Sequence, residues 1–316
     1  MNPRPPSQHI KCPFGPRAFA GRVLAVVAIV SIAVVARGGD AINVRGEKLE
    51  KLAGGFEFTE GPSVDEHGNV YFTDQPNDRI MIWSTDGKLS TFLQPSGRSN
   101  GLCFDDKGNL WACADEKNEL WRIDVATGKH EVVVKDYHGK LLNGPNDVWL
   151  RPDGGLYFTD PYYKRPYWKR GGPEQDQEAT YYLSPDRKTL TRVTDDLRQP
   201  NGIIGPPDGK SLYVSDIGAG QTFVYDIQPD GSLANKRLFC KLGSDGMTID
   251  DHGNVYLTGK GVTVFDKSGK QIEHIDVPES WTGNVCFGGR DMQTLFITAS
   301  KGLYAMKMQV KGAARQ

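Results

Sequence analysis

Cysteine is scarce in this chain, with five among 316 residues, and none stands in a CxxC or comparable spacing, which argues against thiolate zinc and iron–sulfur sites. Cys103, Cys113, Cys240 and Cys286 therefore read as small buried residues. Cys103 and Cys113 fall on the two arms of one predicted hairpin, and a disulfide joins them only if the register sets them opposite each other. Long apolar runs are absent except at the N-terminus, where Val23 to Ala36 is apolar apart from Ser31. That run is shorter than the about 20 residues a membrane-spanning helix needs. Preceded by Arg4, Lys11, Arg17 and Arg22, it reads as a secretory signal peptide over residues 1–39, with Val34, Ala36 and Ala41 suiting cleavage. An exported protein, periplasmic or extracellular, is the expectation, with an uncleaved N-terminal segment as the one route to a membrane.

Basic blocks and low-complexity tracts are missing as well. Without residues 1–39 the chain carries 33 Lys+Arg against 39 Asp+Glu, a net charge of −6, so nucleic acid is not an expected partner. Nothing between Gly54 and Met308 has the period of a long amphipathic helix. What is abundant is 37 Gly, 19 Pro and 10% aromatics, the makings of short strands and tight turns.

Those strands repeat. A turn with an acidic residue and glycine, followed by alternating aromatic and small residues, recurs as DEHGNVYFTD, DDKGNLWACAD, RPDGGLYFTD, PPDGKSLYVSD, DDHGNVYLTG and GGRDMQTLFITAS, ending at Asp74, Asp115, Asp160, Asp216, Gly259 and Ser300. Each unit, flanked by runs such as DRIMIWST and NELWRIDVAT, holds roughly four strands in about 40 residues, the size of a propeller blade. Six such units predict an all-β, six-bladed propeller of antiparallel blades filling residues 40–316 as one domain. Its ring is expected to close when a strand from Val44–Phe58 joins the blade that ends near Met308.

A second pattern sits just before each blade's first strand: Glu60-Gly61, Asn100-Gly101, Asn146-Asp147, Asn201-Gly202, Asp245-Gly246 and Asn284-Val285. One such residue would ordinarily serve a turn. Six in register are expected to converge on the channel that runs down a propeller's axis. They offer oxygen donors only, with two charges from Glu60 and Asp245, which suits a hard cation such as Ca²⁺. Zn²⁺ normally takes nitrogen or sulfur, and the histidines fall elsewhere; Mg²⁺ and Mn²⁺ are further candidates.

FTEGPSVDEHGNVYFTD, LNGPNDVWLRPDGGLYFTDPYY, QPNGIIGPPDGKSLYVSD, SDGMTIDDHGNVYL and NVCFGG together resemble the senescence-marker-protein/gluconolactonase/luciferin-regenerating-enzyme family, from about Leu49 to Met306. The resemblance implies a hydrolase that opens sugar lactones. It also implies Glu60, Asn201 and Asp245 as metal ligands and Asn146 as a further ligand or a substrate contact. Asp245 becomes the catalytic acid/base and Asn100 a residue lining the pocket. The family also holds phosphotriester hydrolases and members without settled activity, so an esterase or a ligand-binding propeller stays open. One departure stands out: Leu141-Leu142-Asn143 precedes GPNDVW where many lactonases carry an arginine, leaving Lys140 as the nearby cation.

Two motifs are discarded. Gly97-Arg98-Ser99-Asn100-Gly101 matches the GxSxG elbow, which needs a helix after the serine, whereas a hairpin is expected here; Gly205–Ser211 is one residue short of a phosphate loop and reads as a turn. Asp74, Asp160 and Asp216 read as loop anchors. The long insertion 161–178, PYYKRPYWKRGGPEQDQE, is expected to reach the channel mouth, with Tyr162, Tyr163, Tyr167 or Trp168 packing on a sugar ring, or else to be a solvated surface loop.

Overall fold

The structure, a computed structural model, describes Ile42 and residues 47–313; the segment 1–39, expected to be a signal peptide, lies outside the described residues. The local chemistry of the repeat accounts for its hairpins. In DEHGN, DDKGN and DDHGN the first aspartate (Asp65, Asp105, Asp250) accepts the backbone N–H groups two and four residues on, and the asparagine side chain four residues on donates back to it. The intervening Gly68, Gly108 and Gly253 all have positive φ, the conformation such a turn demands.

These hairpins build six four-stranded antiparallel sheets. They span residues 59–93, 99–134, 148–194, 200–240 and 247–275, and finally 282–307 joined by the strand Glu50–Gly54; we number them blades I to VI. The joining strand pairs with Gly302–Lys307, so the first and last of the described strands share blade VI as expected. Besides strands, the ordered elements include one short 3-10 turn, Gln75–Asn77. The first strands of the blades touch in sequence, I to II through to VI and back to I, and so form the inner wall of a closed ring. This is a six-bladed β-propeller.

The core follows from strand alternation. In Val70–Asp74 of blade I, Tyr71 packs against Leu102, Phe104 and Leu110 of blade II, while Val70 and Phe72 face Phe296 and Leu303 of blade VI. The other four buried clusters likewise lie between consecutive blades. Each blade therefore buries both faces only because it has two neighbours, and the hydrophobic driving force closes the ring.

Among the described residues no disulfide forms, because the register sets Cys103 opposite Trp111 and leaves Cys113 further along the strand, opposite Leu120 on its other side. Ser99 lies inside the strand Ser99–Phe104, buried and donating to the Ser96 carbonyl, which removes it as an elbow nucleophile. Gly205–Ser211 is a turn, closed by Gly209 N–H to the Pro206 carbonyl.

Candidate active site

The inner strands carry irregularities where the polar residues sit. Pairing register shifts between Glu60 and Ser63, Ser99 and Leu102, Pro200 and Ile203, and Thr282 and Asn284. Such bulges re-aim side chains out of the pleat. In blades III and V, Asn146 and Asp245 instead lie just ahead of the strands Val148–Leu150 and Met247–Ile249.

The outcome is a cavity of about 320 Å³ lined by Glu60, Asn100, Asn146 and Asp245, residues of four different blades. Around them stand Phe58, Gln75, Gln199, Trp281, Tyr163 and Arg165. Asn201, from a fifth blade, is fully buried and reaches the same site, its amide against Asp245 and its Nδ2 donating to the Tyr163 hydroxyl at 2.8 Å. The sixth member of the pattern, Asn284, is off the wall of this cavity, but its side chain is hydrogen-bonded to Glu60. Its Oδ1 accepts Val285 N–H and its Nδ2 points to Asp147, and Asn284 and Asp147 both line a second cavity further along the inner strands.

Charge in the site is concentrated and poorly solvated. Burial, followed by the neighbouring Asp245 and Asp147 charges, holds the Glu60 carboxyl well above the usual carboxylate range. Burial also raises Asp245, against the opposing hydrogen bond from Trp281 Nε1 to its Oδ2 at 2.6 Å. Asp147, buried beneath them, is pushed up to about 7. Carboxylates crowded out of water hold protons or take a cation. One atom distinguishes the two: Asn201 Oδ1 is buried and has no hydrogen-bond partner among the described residues. Leaving such an acceptor unpaired costs about 1–3 kcal/mol, a penalty that a cation bound to it would remove. Among the described residues no group of three His, Cys, Asp or Glu side chains is placed to hold a metal; the donor set here is two carboxylates and neutral amides, which fits an oxygen-seeking ion.

The insertion 161–178 reaches this site through Tyr163 and Arg165. Tyr162 does not line the cavity, because its ring packs beside Trp168 and under the Arg170 guanidinium instead. Tyr167 and Trp168 are likewise turned to blade II, where both bond Asp115. Lys140 is solvent-exposed and off the cavity, and Leu142 is core. The cationic side chain at the site is Arg165, which sequence reasoning passed over because the fold, and not the spacing, brings it there. Trp281 was missed too, although it directly precedes blade VI's first strand.

The family model described as SMP-30/Gluconolactonase/LRE-like region matches residues 58–301. The chain belongs to this family. A gluconolactonase of Zymomonas mobilis is 30% identical over 86% of this chain and 85% of its own length. The solved structure of XC5397 from Xanthomonas campestris, described as a gluconolactonase, is 30% identical with a TM-score of 0.79, covering 84% of this chain and 91% of that one. A regucalcin of Oryctolagus cuniculus is 29% identical over 77% of this chain and 83% of its own length. Family membership of this kind supports hydrolysis of sugar lactones.

Proposed function

We propose that this family member is a metal-dependent lactone hydrolase that opens sugar lactones with water. The observation that carries the reading is the unpartnered, buried Asn201 Oδ1 beside two buried carboxylates, Glu60 and Asp245, in a cavity wide enough for a small ring. Glu60, Asn146, Asn201 and Asp245 would hold one divalent cation, and their oxygen chemistry favours Ca²⁺. When bound, such a cation acts as a Lewis acid that polarises an ester carbonyl and stabilises the negative charge developing on its oxygen.

The protein's own groups supply the rest. Asp245 accepts a proton from the water whose oxygen bonds to the carbonyl carbon, and returns it to the ring oxygen when the ring C–O bond breaks, leaving a hydroxy acid. Trp281 Nε1, bonded to Asp245 Oδ2, fixes the direction from which that carboxylate works. Tyr163 orients the Asn201 amide, so that its oxygen and not its nitrogen is left for a ligand.

Turnover of D-glucono-1,5-lactone by the Ca²⁺-loaded protein tests the reading. Asp245→Asn is expected to lower kcat by about 10²- to 10⁴-fold while the variant still unfolds cooperatively, and chelation to abolish activity reversibly. Full activity in the variant would remove Asp245 as the base.

A further inference from the structure

The four aspartates that close the repeat motif differ in what they hold. Asp74 accepts the backbone N–H groups of Glu57 and Phe58, Asp160 those of Asn143 and Gly144, and Asp216 those of Arg198 and Gln199. Each anchors the loop entering its own blade. Asp115, at the same place in blade II, holds side chains from elsewhere: its Oδ2 accepts from Gln75 Nε2 at 3.1 Å, Arg165 Nε at 2.7 Å and the Tyr167 hydroxyl at 2.6 Å. Its backbone carbonyl accepts Trp168 Nε1 as well. This buried carboxylate, with a side chain only 2% exposed, ties the insertion of blade III to a loop of blade I.

Two of the tied side chains, Gln75 and Arg165, line the cavity that contains Asp245. Bonded through Nε, Arg165 keeps its two Nη groups outside every hydrogen bond among the described residues, while its plane lies over Tyr163 at 5.4 Å. Gln75, bonded through Nε2, likewise keeps Oε1. Fixed donors beside a fixed acceptor match a pair of hydroxyl groups, each of which gives one proton and takes one. The charge of Arg165 is already balanced by Asp115, so its remaining N–H groups suit neutral hydroxyl groups rather than a second carboxylate.

We infer that Arg165, positioned by Asp115, is the specificity residue of the site and reads ring hydroxyls of the substrate, so that hydroxylated sugar lactones are preferred to plain ones. The inference rests on the lactone-hydrolase reading for its substrate class. Sites built to hydrogen-bond a substrate hydroxyl discriminate strongly against analogues without it.

The test compares D-glucono-1,5-lactone with δ-valerolactone, which has the ring ester and no hydroxyls, on Ca²⁺-loaded wild type and Arg165→Met. Arg165→Gln, which keeps an amide for Asp115, replaces the Met variant if that one misfolds. The expected result is a loss of about tenfold or more in kcat/KM on the sugar lactone with δ-valerolactone within about twofold of wild type. A loosened insertion would instead slow both substrates. Equal loss on both lactones, or loss on neither, overturns the inference and leaves the hydrolase reading intact. If wild type opens neither lactone, the hydrolase reading falls, and binding of the ring polyol 1,5-anhydro-D-glucitol, followed by ligand-observed NMR, decides Arg165 separately. Binding by wild type that is lost in the variant supports its role; binding that is unchanged, or absent from wild type, overturns it.

Discussion

Asn201 divides one amide between two tasks: its nitrogen serves the Tyr163 hydroxyl, and its oxygen is buried without a donor among the described residues. Removing that hydroxyl leaves the amide free to turn its oxygen away from the cavity, so Tyr163→Phe is expected to weaken Ca²⁺ binding about tenfold, as outer-shell partners of metal ligands commonly do. Calorimetric titration checks this, and unchanged affinity would show that Tyr163 does not orient the amide. Much at this scale was legible in the sequence. Glu60, Asn100, Asn146, Asn201 and Asp245 share a repeat position, and repeats translate directly into shared geometry. Asn284 shares the position as well, and its side chain reaches both Glu60 and Asp147. Arg165 stayed hidden because its neighbours in space, Asp115 and Gln75, are 50 and 90 residues away in the chain.

The glycines that follow the polar residues have a meaning at the level of strands. A side chain at Gly61 would put its Cβ 2.1 Å from the Asn100 carbonyl oxygen, and one at Gly101 would meet the Asn146 carbonyl oxygen at 2.6 Å. Neighbouring inner strands thus approach so closely that Gly101 N–H bonds the Asn146 carbonyl at 2.7 Å across blades. Read alone, Asn-Gly suggests a turn; here it is an inter-blade contact. The threonine of the FTD and LTG motifs works beside it, with Thr73 and Thr159 donating to the carbonyls of Asn100 and Asn201 in the next blade, and Thr258 to that of Gly283. Gly101→Ala is expected to destabilise the fold by about 1–3 kcal/mol through forced separation of blades II and III, seen as a lower denaturant midpoint. A midpoint equal to wild type would contradict such close packing. The hairpins were readable because Asx turns are settled within five residues. The path of 161–178 was not, because its anchors lie in other blades.

Across the whole molecule, the ring closes by pairing Glu50–Gly54 with the last strand, and closure is what brings carboxylates from blades I and V together out of water. Their pKa values have a consequence for binding. Groups raised by burial, Glu60 and Asp245 among them, carry protons in the cation-free protein at pH values where the unfolded chain has lost them. By linkage, the cation-free fold then loses stability as pH rises from the ordinary carboxylate range toward the raised values, and a cation that displaces those protons restores it. Calorimetric titration of Ca²⁺ into chelator-stripped protein at pH 7, repeated in buffers of different ionisation enthalpy, tests the shared site most directly. The account predicts one Ca²⁺ per chain, bound with net release of protons, and no binding in Glu60→Gln/Asp245→Asn. Absence of binding by wild type, or equal binding by the double variant, would contradict it.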